Sequence, residues 1–61
     1  MTQKEDWILS LSKEQKLEFI RELGKRGEVG MFVSFTQILL DAPIKDGGLS
    51  VEEVDNAWKN K

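Results

Sequence analysis

The sequence predicts an all-α domain, a small bundle of three or four short helices. Two serine capping boxes each begin a segment whose apolar residues recur every three or four positions. Glycines and a single proline separate these segments. The sequence has no two segments in which apolar and polar residues alternate, so it does not predict a pair of strands that could hydrogen-bond to each other. With 61 residues, we expect one domain spanning 1–61.

The first segment predicts a short helix over Gln3–Leu9. Thr2 is placed as its N-cap, and Glu5 completes a T-x-x-E capping box. The apolar residues of this region are expected to pack onto the rest of the domain: Trp7, Ile8 and Leu11.

A second helix is predicted over Lys13–Leu23, because Ser12 and Gln15 form a capping box. Its apolar face carries Leu17, Ile20 and Leu23. Gly24 is the expected stop, and three glycines within residues 24–30 predict a seven-residue turn or flexible loop.

The segment Met31–Leu40 is apolar almost all round, which favours a central helix. Phe32, Val33 and Phe35 also favour a strand, but no second strand is evident to pair with it. A loop follows over Asp41–Leu49. A last helix over Val51–Asn60 is then predicted from several signals: the Ser50–Glu53 capping box, a Leu49–Val54 staple and a buried stripe of Val51, Val54, Ala57 and Trp58.

Composition argues against catalysis. Cysteine and histidine are absent, so the chain has no disulfide, no usual zinc ligand and no histidine to activate a serine. We expect no enzyme activity, no metal and no cofactor. The formal net charge of −2 argues against nucleic acid as a partner. No apolar run approaches a membrane span, and the polar start is not typical of a secretory signal; the expected location is cytoplasmic.

The Asp46–Glu53 segment resembles the second half of an EF-hand calcium loop. Asp46, Gly47, Leu49 and Glu53 match the fifth, sixth, eighth and twelfth positions. The first and third positions fall on Ala42 and Ile44, which cannot coordinate through their side chains. The resemblance therefore implies a degenerate helix–loop–helix with very weak calcium affinity, while a turn and a helix cap explain the same residues.

A second short motif, Gly24-Lys25-Arg26-Gly27, resembles the GxxG loop of KH domains. It implies an alternative function, nucleic-acid binding through a GxxG clamp or a helix–turn–helix-like unit over 13–41. The acidic balance and the predicted seven-residue turn argue against this alternative.

The surplus of apolar residues indicates a surface that binds another protein or a second copy of the chain. We therefore predict a non-catalytic regulator, inhibitor or adaptor. Its apolar contact residues are expected to be Trp7, Phe32, Phe35, Leu39 and Trp58. A stripe of carboxylates on the second helix is a further candidate docking surface for a basic partner: Glu14, Glu18 and Glu22.

Overall fold

The structure, a computed structural model, describes residues 3–60 and is all-α, as the sequence predicts. It contains four α-helices, and no strand is found among the described residues. The helices are α1 (Gln3–Ser10), α2 (Lys13–Arg26), α3 (Val29–Asp41) and α4 (Val51–Lys59), with a 3₁₀ turn at Ile44–Asp46. The predicted Thr2 cap of α1 lies outside the described residues. None of the helices within 3–60 combines the length and apolar character needed to cross a bilayer.

Helix α2 begins where predicted and ends later than predicted. Ser12 and Gln15 form the full capping box. The prediction that Gly24 ends the helix is wrong, because Gly24 is buried inside it and the helix continues to Arg26. Gly27 instead adopts the left-handed conformation, with φ of 70°. The amides of Gly27 and Glu28 donate to the carbonyl oxygens of Gly24 and Leu23, at 3.2 and 2.9 Å, in a Schellman motif.

The connection from α2 to α3 consists of Gly27 and Glu28 alone. The predicted seven-residue loop over 24–30 is therefore wrong, since its first and last residues belong to helices. The segment Met31–Leu40, for which the sequence favoured a helix over a strand, lies within helix α3.

The loop from α3 to α4 is closed by the backbone. Asp46 and Gly47 make the predicted turn, with Gly47 at φ 102°. The amide of Leu49 then donates to the carbonyl oxygen of Leu39 at 3.0 Å, which ties the end of the loop to the last turn of α3.

Helix α4 begins with the predicted Ser50–Glu53 capping box. Both predicted staple residues, Leu49 and Val54, belong to the core. The prediction that Val51 is buried is wrong, because 69% of it is exposed. The buried side of α4 is formed by Val54 and Ala57, with Trp58 partly buried beside them.

Helix α2 forms the centre of the packing, since α3 and α4 both pack on it and α1 packs on α3. Ile8, Ile20 and Leu39 are fully buried, one each from α1, α2 and α3. Three aromatic rings add edge-to-face contacts, with the Phe19 centroid 5.2 Å from that of Trp7 and 4.9 Å from that of Phe35.

Lys16 is buried although it is charged. It lies on the same side of α2 as Ile20 and Leu23. Its Nζ is 3.1 Å from the point where a Cβ on Gly47 would stand, and the Leu9 carbonyl oxygen is 2.7 Å from that point. The ammonium therefore lies near the carboxyl end of α1, where the helix dipole favours a cation.

Candidate functional site

One side of α3 exposes branched apolar side chains to solvent. Val29, Val33 and Leu40 are 57, 55 and 39% exposed. At 3.6 residues per turn, their spacing places them within ~40° of one another around the helix. We call these three residues the outer face of α3.

The outer face carries no charge, because the twelve residues from Val29 to Leu40 are all uncharged. On the same helix, Phe32 is partly buried and its ring is tilted by 34° against that of Trp58, with 4.1 Å between the centroids. Tryptophan is one of the residues enriched at interface hot spots.

The predicted contact residues divide between core and surface. Phe35 and Leu39 belong to the core, with 8 and 0% exposed, so they are not available to a partner in this fold. Phe32 and Trp58 are partly buried. Trp7 is 47% exposed, with one ring edge against Phe19 and Phe35.

The exposure of Val29, Val33 and Leu40 could not be predicted from the sequence. Helix α3 is apolar nearly all round, so the spacing of its apolar residues does not show which side faces inward. The packing of α1 and α2 decides this, because they cover the side that carries Phe35 and Leu39.

An open groove of about 980 Å³ runs between α1 and α3 and reaches the 3₁₀ turn. Leu9, Ile38 and Pro43 contribute apolar surface to it. Its lining also includes four carboxylates and one lysine: Glu5, Asp6, Asp41, Asp46 and Lys4.

The charged groups of the groove come from three separate segments of the chain. Glu5 and Asp6 lie in the first turn of α1, where they complement the helix dipole. Asp41 is the last residue of α3, where a carboxylate is placed against the dipole. Lys4 is held on α3, because its Nζ donates to Ser34 Oγ and lies 4.6 Å from the centre of the Phe35 ring.

The predicted acidic stripe on α2 is largely engaged within its own helix. Arg21 donates to Glu18 at 2.8 Å, and Lys25 lies 3.7 Å from Glu22. The hydrogen bond from Arg21 is the main reason why the pKa of Glu18 is lowered. Glu14 is exposed.

The loop that resembles an EF-hand uses its acidic residue for a helix cap. Glu53 accepts from the Ser50 amide at 3.1 Å and from the Ser50 hydroxyl at 3.1 Å, and it forms an ion pair with Lys13. Within residues 3–60 there is no group of three or more side chains of the types that hold metals. The capping role therefore accounts for Glu53 without a ligand.

The GxxG motif does not form a loop. Gly24, Lys25 and Arg26 belong to the last turn of α2, and Gly27 alone leaves the helical conformation. A KH domain requires a sheet, whereas the described part of the chain has no strand. The resemblance to that family is therefore wrong at the level of the fold.

Comparisons with protein-family models, with curated proteins and with solved structures find no match to this chain.

Proposed function

We propose that this protein is a non-catalytic protein-binding module that acts through the outer face of α3. The observation that carries the proposal is an uncharged helix surface on which Val29, Val33 and Leu40 remain 39 to 57% exposed. Exposed apolar side chains grouped on one side of a helix are typical of a protein interaction site.

Burying these three residues would contribute about 3 kcal/mol, which is less than the ~4 kcal/mol of a millimolar complex, so contacts beyond them must supply the rest of the binding energy. Fully burying a Val or Leu side chain contributes ~1.5–3 kcal/mol, so completing the burial of these half-exposed residues is worth about 1 kcal/mol each. The ring of Trp58, stacked on Phe32, supplies aromatic area at the border of the surface.

The composition supports binding over catalysis. The sequence has no histidine and no cysteine, which are frequent general bases and nucleophiles. Serine and carboxylate side chains that could act instead are used largely for helix caps and surface ion pairs, as Ser12, Ser50 and Glu53 show.

Photo-crosslinking from single positions tests the proposal. A photoreactive amino acid replaces Val33, and a control variant carries it at Val51, which is at least as exposed but lies on α4. Crosslinking is carried out in cells of the organism that encodes the protein. We expect adducts from position 33 that are absent from position 51. We also expect Val33→Glu to abolish binding of the partner protein.

Equal labelling from both positions, or none from either, would contradict an interaction through α3. Circular dichroism of each variant confirms that the fold is retained, which the exposure of both valines leads us to expect.

A further inference from the structure

We propose that the partner is a cationic amphipathic segment of another protein, whose apolar side covers the outer face of α3 and whose basic side chains reach into the acidic groove beside it. This inference rests on the proposed function and specifies the chemistry of the partner.

The two surfaces are adjacent on one helix. Ser34, Gln37 and Asp41 line the groove, and at 100° per residue they lie ~100° around α3 from the outer face. One helical segment lying along α3 can therefore contact both surfaces. Its apolar residues would follow the spacing i, i+3, i+4 and i+7, with basic residues on one flank.

The lining of the groove is more negatively charged than the molecule as a whole. Four carboxylates and one lysine give its lining a net charge of −3, whereas the whole chain carries −2. The rest of the protein is therefore net positive by one. An acidic groove beside an uncharged apolar face complements a partner with both basic and apolar residues, and it disfavours nucleic acid.

The structure reveals no stabilising role for Asp41 within residues 3–60. It lies in the last turn of α3, where a negative charge opposes the helix dipole. It makes no ion pair within residues 3–60. Its position is explained if a basic side chain of a partner binds there.

Selection from a phage-displayed library of 16-residue peptides tests the charge of the partner without assuming its sequence. The library is selected on the wild-type protein and on three variants. One is Val33→Glu, and one is the double variant Asp41→Asn, Asp46→Asn. The third, a control, removes two exposed carboxylates of α4 away from the groove, with Glu52→Gln and Asp55→Asn.

We expect the wild-type protein to enrich peptides with a net positive charge and helically spaced apolar residues. The affinity of a selected peptide should fall about five- to tenfold on the groove variant, since two partly exposed charge pairs are lost. It should change less than twofold on the control variant and be lost on Val33→Glu.

A stability measurement separates a binding role of Asp41 from a structural one. Asp41→Asn alone should raise the midpoint of thermal unfolding by about 2 to 5 °C, because it removes a charge that opposes the dipole. A fall in that midpoint would show that Asp41 stabilises the fold and would overturn its assignment to a partner.

The outcomes distinguish the two proposals. Neutral or acidic peptides that still require Val33 would overturn the cationic partner and leave the binding face in place. No enrichment on the wild type above Val33→Glu would contradict both. A wild-type dimer in sedimentation equilibrium that Val33→Glu dissociates would identify a second copy as the occupant and overturn the cationic segment.

Discussion

At the scale of single residues, Gly48 occupies a position that has no space for a side chain. A Cβ there would lie 2.0 Å from the carbonyl oxygen of Ala42 and 2.9 Å from that of Leu39. Both atoms belong to the backbone, so they cannot move aside as a flexible side chain would. The loop thus approaches the end of α3 closely only because residue 48 is a glycine.

Gly48→Ala is expected to destabilise the protein by about 3 kcal/mol or more, because overpacking against fixed backbone is costly. Gly30→Ala is a matched control with the opposite sign. Gly30 lies in α3, and a Cβ there would meet nothing within 4 Å. Alanine should stabilise this helix by about 0.5 to 1 kcal/mol.

Urea denaturation followed by tryptophan fluorescence measures both changes. A Gly48→Ala variant as stable as the wild type would show that the loop does not approach α3 as closely as described.

At the scale of elements, the start of α4 depends on an ionised carboxylate. The hydrogen bond from Lys13, together with those from the Ser50 amide and hydroxyl, lowers the pKa of Glu53 from 4.5 to about 2. This carboxylate connects the first turns of α2 and α4, the two helices with the most extensive mutual packing.

Folding stability should therefore fall as the pH is lowered from about 4.5 to about 2. The unfolded chain takes up the proton on Glu53 first, because the pKa of this group is lower in the folded state, so protonation favours unfolding. Above pH 4.5 the contribution of Glu53 is fully present.

Glu53→Gln removes this ionisation and should make the stability less dependent on pH over that window. Urea unfolding at several pH values, with Glu52→Gln as the control, gives the comparison. Identical pH profiles for the wild type and Glu53→Gln would contradict the lowered pKa.

The start of α4 was predictable because its signals are local. Ser50 and Glu53 are three residues apart, and the cap they form needs no other part of the chain. The end of α2 was not predictable in this way. Gly24 and Gly27 are equally able to end a helix, and the choice between them depends on Gly24 being buried in the packed fold.

The candidate site was less predictable than the fold for the same reason. The sequence indicates that α3 is rich in apolar residues, but it does not show that Leu39 faces inward while Leu40 faces solvent. The groove could not be found from spacing at all, because its carboxylates come from α1, α3 and the 3₁₀ turn.

At the scale of the whole molecule, a chain of 61 residues has little stability to lose, on the order of 3 to 9 kcal/mol. Leu39→Ala should remove about 2 to 5 kcal/mol of this, because Leu39 is fully buried. We expect a large fraction of this variant to be unfolded at 37 °C.

Leu40→Ala is the matched control, since it deletes the same atoms at the next position, where 39% of the residue is exposed. It should lower the unfolding midpoint less than Leu39→Ala does, because less of its side chain is buried, and it should weaken partner binding. Thermal unfolding followed by circular dichroism compares the two variants, and equal destabilisation would show that the rotation of α3 is not as described.

The lengths of the connections also determine the order in which the chain can fold. Two residues separate α1 from α2 and α2 from α3, whereas nine residues separate α3 from α4. The entropy lost in closing a loop rises with its length, so the first three helices can associate at little entropic cost. The docking of α4 on α2 must close the longest connection. We therefore expect the late step of folding to be the arrival of the last helix on a core that the earlier helices have already begun to build.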